Sequence, residues 1–367
     1  MRILVTGAAG FIGKTLMIRL AEIPGLHPVP WTRDDSDADL PGVLAQVDAV
    51  VHLAGVNRPT DPSAFQAGNV GVTARLARCL LAQGRALPVI LASSAQAGND
   101  TPYGVSKRQA EQELRAYAQQ AGAKVYVFRL PNVFGKWARP NYNSAVATFA
   151  HNLANGLPIT IHDRDAALHL AYVDDVADTF IGILREQPPA PDFCDVPVYR
   201  TTVGQLADML ERFSRSRVEL RIDAVGAGLP RALYATYVSY LPPARFSYGV
   251  PRHADARGEF VEMLKTGDSG QFSYFTAAPG VTRGGHYHHT KTEKFLVVRG
   301  SARFRFRHIA TGQRHEIHAE GGHPLIVETV PGWTHDITNV GQRELVVMLW
   351  ANEVFDRQRP DTIPSPV

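Results

Sequence analysis

The chain opens MRILVTGAAGFIGKTLMIRL, an apolar run that passes through Gly7, Gly10 and Gly13 into a segment with helical spacing. A strand, a glycine turn and a helix in that order aim unpaired backbone N–H groups and the positive helix end at one place, which suits an anion. Glycine lets the backbone come close to a pyrophosphate and lets the helix pack on the strand. Three glycines at this spacing are weak evidence alone, but in this setting they predict a dinucleotide site rather than a mere tight turn.

The segments that follow alternate in the same way. AVVHLAG (49–55), PVILASS (88–94) and KVYVFRL (124–130) read as buried strands, and TARLARCLLAQG (73–84) and RQAEQELRAYAQQAG (108–122) as amphipathic helices. Continuous apolar strands between such helices predict a Rossmann-like, doubly wound parallel α/β sheet covered on both faces. Ligands of these sheets bind beyond the carboxyl ends of the strands, where Gly7, Gly55, Ser94 and the Arg129–Asn132 segment all fall. The second strand is expected in HPVPWTR, followed by Arg33 and Asp34. An arginine at that end accommodates a 2′-phosphate, whereas an acidic residue bonds the ribose hydroxyls, so Arg33 favours NADPH and Asp34 keeps the alternative open.

Tyr103-Gly-Val-Ser-Lys107 opens the long helix, which places Tyr103 and Lys107 one turn apart on one face. A cation there is expected to lower the phenol pKa and make it a usable proton donor or acceptor. Ser94, ending the preceding strand, is placed to hydrogen-bond a substrate oxygen under reduction. These segments, with TGAAGFIG, HLAG, NVGVTARL, SSA, YGVSK, RLPNVFG and AYVDDVAD in order, resemble the extended short-chain dehydrogenase/reductase family over residues 1 to about 185. The resemblance implies a Ser94–Tyr103–Lys107 catalytic group and a cofactor held by Gly7, Gly10, Phe11, Ile12, Gly13, Arg33, Leu53, Ala54, Gly55, Lys107 and Arg129. It also implies a nucleotide sugar bound by the segments after Asn132. The short Ser94–Tyr103 spacing departs from the family and leaves part of the sugar pocket to come from elsewhere.

From about residue 246 helical periodicity disappears. Pro242-Pro243 and the tyrosines and prolines that follow read as a linker, so the expected domains are 1–245 and 246–367. QFSYFTA, KFLVVRG, ARFRFRH, RHEIHA, PLIVETV, HDITNV and ELVVMLW are short, mostly alternating and separated by turn residues, which predicts an antiparallel sandwich or small barrel. GGHYHHTKTEKFLVV places His286 and His288 on one face of a strand, with Glu293 beginning the next and His335 between two later ones. Three imidazoles and a carboxylate suit a divalent metal, zinc before iron or manganese.

Gly280-x5-His286-x-His288-x4-Glu293-x6-Gly300, with Pro331-Gly332-x-x-His335-x3-Asn339, resembles the two cupin motifs, the second carrying Val330 where proline is usual. An all-β cupin barrel is therefore implied. The two halves together resemble the bifunctional reductase–epimerases of capsule and O-antigen nucleotide-sugar synthesis. That implies epimerisation at C3 of a UDP-2-acetamido-2,6-dideoxy-4-hexulose in the cupin, then reduction of C4 with NADPH to UDP-N-acetyl-6-deoxy-L-talosamine. It further implies a homodimer.

Two other readings stay open at this point. In one, the cupin only oligomerises or gates a reductase and its metal is structural; in the other, the chain binds NADP(H) as a sensor without turnover. The residues do not identify an epimerase base among Tyr287, His289 and Lys291. A formal charge of +3 argues against nucleic acid, and no apolar run is long enough to span a membrane. With two distant cysteines and no leader-like segment, the cytoplasm is expected.

Overall fold

The computed structural model of the chain describes residues 1–255, 258–261, 264–266, 270–353 and 358–367. It divides into two compact units, one of Met1–Val133 with His169–Val198, the other of Phe134–Leu168 with Tyr199–Val367.

In the first unit β1 (Arg2–Thr6), β2 (His27–Trp31), β3 (Ala49–His52), β4 (Val89–Ser94) and β5 (Val125–Leu130) form a parallel sheet in the order β2-β1-β3-β4-β5. Every pairing in it is parallel. The period of two along each strand sorts side chains into two cores. Ile3, Val5, Ala49, Val51, Ile90, Tyr126 and Phe128 face α1 (Phe11–Ala21) together with Val176 and Phe180. Leu4, Val50, Val89, Leu91, Val125 and Val127 face the other way, onto α2 (Leu40–Leu44), α3 (Val72–Ala82) and α4 (Pro102–Ala121). Both faces are thus covered, as the unbroken apolar strands require. The sheet reverses direction of growth between β1 and β3, the place where such folds leave a crevice. The expected strand 49–55 stops at His52: the Leu53 N–H still reaches the Thr6 carbonyl at 3.2 Å, and the Thr6 hydroxyl then accepts from the Leu53 and Ala54 N–H groups, at 3.2 Å each.

The second unit carries α5 (Ala145–Ala154), α7 (Val203–Glu219) and α8 (Gly228–Ser239); α6 (Val173–Glu186) lies in the first. Thr202 and Gln205 start α7 with a reciprocal capping box. Two five-stranded sheets follow, and every pairing within them is antiparallel. One runs Ser247–Gly249, Leu325–Glu328, Glu293–Arg299, Leu345–Ala351, Gln271–Ala277; the other Arg314–Glu320, Ser301–His308, Trp333–Asn339, Thr282–Tyr287, Ile363–Pro364. In SARFRFRH, Ala302, Phe304 and Phe306 are buried and the arginines between them are not, as period two dictates. Phe295 of one sheet meets Phe304 of the other with ring centroids 5.7 Å apart, so the inner faces share one core.

The stretch read as a linker behaves otherwise. Phe246 is fully buried, edge-on to Phe306 and Trp333 at 5.6 and 5.1 Å, and Ser247–Gly249 is an edge strand. Its mixture of Pro, Tyr and Phe hid a buried ring and a packed edge strand. Part of DARGEF lies outside the described residues. Among the described residues no helix is long and apolar enough to cross a membrane.

Candidate functional site

The glycine turn is built as its sequence demands. A Cβ on Gly7, where φ is +68°, would come within 2.8 Å of the Ala54 nitrogen, and one on Gly13 within 2.2 Å of the Gly7 carbonyl oxygen. Helix α1 and the Leu53–Gly55 segment can approach this loop only because those side chains are missing. Gly10 caps α1 with no side-chain hydrogen bond, and its first turn holds no acidic residue. The amides of Phe11, Ile12 and Gly13 therefore open α1 as an uncapped, positively polarised end, a fit for a pyrophosphate. Arg33 lies in the turn just after β2. Asp35, which the sequence left unremarked, caps that turn by accepting from the Thr32 N–H at 2.6 Å and its hydroxyl at 2.9 Å.

Ser94, Tyr103 and Lys107 come together in the same unit. Ser94 ends β4 near Tyr103, which stands on the first turn of α4. Burial raises the Tyr103 pKa and the Ser94 hydroxyl only partly offsets it. The expected lowering by Lys107 is not found. The ammonium instead donates to the Ala92 carbonyl at 2.8 Å, and burial brings its own pKa down to about 8 against an opposing pull from Glu111. Tyr103 is thus a proton donor over the neutral range. Arg129 is committed elsewhere: it forms two hydrogen bonds to Glu111, at 3.0 and 2.8 Å, and stacks on Phe193.

One residue that spacing alone did not flag is Asn69. Its amide group bonds both the N–H and the carbonyl of Val56, at 2.7 and 3.0 Å, and the Ser106 hydroxyl at 2.9 Å. It fixes the loop after β3 onto α4, beside Lys107. The segment NVGVTARL held it in plain view, but a buried asparagine carries no spacing rule of its own.

In the second unit His286, His288, Glu293 and His335 offer four ligand atoms, all within 4.8 Å of one another. The ring centroids of the three histidines lie 4.7 to 5.3 Å apart. The strand Thr282–Tyr287 bulges between Gly284 and His286, where a Cβ on Gly284 would press within 2.9 Å of the His335 carbonyl. The bulge turns His286 toward His335, and His288 follows just beyond the strand end. Glu293 Oε2 lies 3.2 Å from His288 Nε2 and 3.5 Å from His335 Nε2, while Oε1 pairs with Lys291 Nζ at 2.7 Å.

Burial, with the neighbouring His335 and His288, holds His286 down at about 3, and burial also lowers His335. Burial would lower His288 too, but Glu293 outweighs it and the net shift is upward. Burial would likewise raise Glu293; His288 and Lys291 reverse that, and the carboxyl sits well below its usual range. Three nitrogens and one carboxylate, buried and convergent, fit a divalent cation.

The glycine-turn sheet with Ser94, Tyr103 and Lys107 has its counterpart among known proteins. The NAD dependent epimerase/dehydratase family matches residues 3–193. The chain belongs to that family. Residues 253–363 match a polysaccharide biosynthesis C-terminal domain. The whole chain is similar to UDP-2-acetamido-2,6-beta-L-arabino-hexul-4-ose reductase of Pseudomonas aeruginosa, 56% identical over 99% of this chain and 98% of the relative. It also resembles the crystal structure of the capsular polysaccharide assembling protein CapF from Staphylococcus aureus, 40% identical, covering 100% of both chains, with a TM-score of 0.69. A UDP-glucuronic acid 4-epimerase from Bacillus cereus, solved with NAD, shares the epimerase/dehydratase fold alone: 22% identity, 58% of this chain, 84% of that one, TM-score 0.52.

Proposed function

We propose that the chain is a bifunctional UDP-sugar enzyme: it epimerises C3 of a UDP-2-acetamido-2,6-dideoxy-4-hexulose and then reduces C4 with NADPH, yielding UDP-N-acetyl-6-deoxy-L-talosamine. The observation that carries the reading is the presence, in one chain, of a reductase triad at a strand end and a buried three-histidine, one-carboxylate cluster. Support for the reductase comes from the similarity over nearly full length to a UDP-hexul-4-ose reductase. The epimerase assignment rests on the cluster and on the resemblance of the spacings Gly280–Gly300 and Pro331–Asn339 to the two cupin motifs. We assign the reductase to residues 1–245 and the epimerase to 246–367.

The chemistry follows from the ketone. The C4 carbonyl acidifies the C3 proton, so a base takes it and an acid returns one on the opposite face, with no net change in atoms. A divalent cation, zinc by its ligand set, supplies positive charge for the developing enolate when bound, and NADPH supplies the hydride. His286, His288, Glu293 and His335 hold the cation. In the reductase, Ser94 donates to the C4 oxygen and orients it, Tyr103 gives it a proton as hydride reaches C4, and the Lys107 charge supports the phenolate that remains. The uncapped start of α1 and the Gly7–Gly13 loop hold the pyrophosphate, and Arg33 receives the 2′-phosphate.

Incubation with the 4-keto sugar nucleotide in deuterated water should place deuterium at C3 even without NADPH. Failure to do so, with NADPH still consumed, would leave the second reading: a reductase whose β-unit gates or oligomerises, as the name of the Pseudomonas relative, a reductase alone, favours.

A further inference from the structure

The candidate metal ligands depend on a residue far along the chain. We infer that Asp361 is the positioning residue of the His286–His288–Glu293–His335 cluster, its carboxylate and its own carbonyl together fixing the turn that presents His288. This rests on reading the cluster as a divalent-metal site.

The carboxylate of Asp361 meets a row of consecutive backbone donors. Oδ1 accepts from the His289 N–H at 2.9 Å; Oδ2 accepts from the Thr290 N–H at 2.7 Å, the Thr290 hydroxyl at 3.1 Å and the Lys291 N–H at 2.8 Å. Three successive amides converging on one carboxylate form an anion nest, so the 289–291 turn is shaped around a charge supplied from elsewhere in the chain. The carbonyl of Asp361 also accepts from His288 Nδ1. A carbonyl can only accept, so Nδ1 carries the proton and Nε2 is the nitrogen left to face Glu293 and a cation. Ligating histidines need a second contact of this kind to hold ring and tautomer.

The hold continues past Asp361. Ile363 and Pro364 pair with Tyr287 and His286, the Ser365 N–H donates to the Gly285 carbonyl at 2.8 Å, and the Thr334 hydroxyl donates to the Ser365 carbonyl at 2.6 Å. Segment 361–365 therefore touches the backbone beside His286 and His288 and the Thr334 side chain beside His335. By fixing Lys291 it also sets the ammonium that pairs with Glu293 Oε1.

The test is zinc affinity of the full chain, measured by competition with a chromophoric chelator, for the unsubstituted protein, Asp361→Ala and Asp361→Asn. Alongside it run the melting temperature of the metal-stripped protein and NADPH binding. Asp361→Ala should weaken zinc about 10–100-fold, with NADPH binding unchanged and Asp361→Asn, which keeps one acceptor and the volume, falling between. Should the alanine variant not fold, the asparagine variant carries the test. A lowered melting temperature with an unchanged zinc constant would mean the residue is only structural and would overturn the proposal. If the unsubstituted chain binds no zinc, the metal reading itself falls and takes this inference with it.

Discussion

Lys294 and Glu328 face each other in register across adjacent strands, both fully buried, and their side chains form an ion pair that Arg217 of α7 joins from the other carboxylate oxygen. The Tyr234 hydroxyl donates to the same carboxylate at 3.2 Å, and both cations lie over the Tyr248 ring. One buried carboxylate thus ties α7 and α8 to the sheet that carries the strand Glu293–Arg299. Breaking such a site by removing its only anion strands two desolvated cations. Glu328→Gln is expected to cost about 3–5 kcal/mol, seen in denaturant unfolding, and Lys294→Met in the same chain should recover part of it.

The sign of its pH dependence follows. Burial pushes the Glu328 carboxyl up, Arg217 and Lys294 outweigh it, and the net shift is down. An acid with a depressed folded pKa stabilises above its unfolded value and loses that contribution as pH falls through the folded one. The loss on Glu328→Gln should therefore be constant near neutrality and shrink in acid below the usual carboxylate range. An unfolding series against pH checks it.

Gly13 and Gly42 make a matched pair. A Cβ at Gly13 meets backbone, the Gly7 carbonyl at 2.2 Å and Ala8 Cα at 2.8 Å, so nothing can swing aside. Gly13→Ala should destabilise by about 1–3 kcal/mol and abolish NADPH binding. At Gly42, inside the short helix α2, nothing lies within 4 Å. Gly42→Ala should instead stabilise by up to about 1 kcal/mol, with NADPH binding unchanged in a fluorescence titration.

What could be read from the residues was local. Short continuous apolar runs pointed to β1, β3, β4 and β5, and the glycine spacing to the turn, because each depends on neighbours in the chain. His286, His288, Glu293 and His335 were legible as a set because motif spacing stands in for the antiparallel strand pairing that brings them together. What was missed is long-range. Asp361 lies 72 residues from His289 and Glu328 lies 111 from Arg217, and no periodicity connects such pairs. Tyr103 misled for a related reason: the Lys107 ammonium is one turn away, but a backbone carbonyl from β4 claims it, and burial decides the phenol's direction.

Chelation should separate the two proposed activities. With the cluster stripped by a chelator, deuterium uptake at C3 should fall by at least about tenfold, while NADPH binding in the first unit is unchanged. His288→Ala should behave likewise. Retained exchange in the stripped protein would make the cation structural, and the melting temperature of that preparation would show how much it stabilises.

In the proposed reductase, Lys107 would set stability against catalysis. Its pKa falls from 10.5 to about 8 on folding because burial disfavours the ammonium. For a base lowered in this way stability is full above the unfolded pKa, declines as pH drops toward about 8 and is flat below. At pH 7 the buried charge is therefore a standing cost, partly offset by its bond to Ala92. Lys107→Met should raise stability there by about 1–2 kcal/mol, with the gain gone above the unfolded pKa, and should abolish ketone reduction. In the unsubstituted enzyme kcat/KM for NADPH-dependent reduction should decline above about pH 8 as the ammonium deprotonates, while Tyr103, its pKa raised, stays a donor. Initial rates of NADPH oxidation across that range, beside unfolding of the methionine variant, test both halves of the trade.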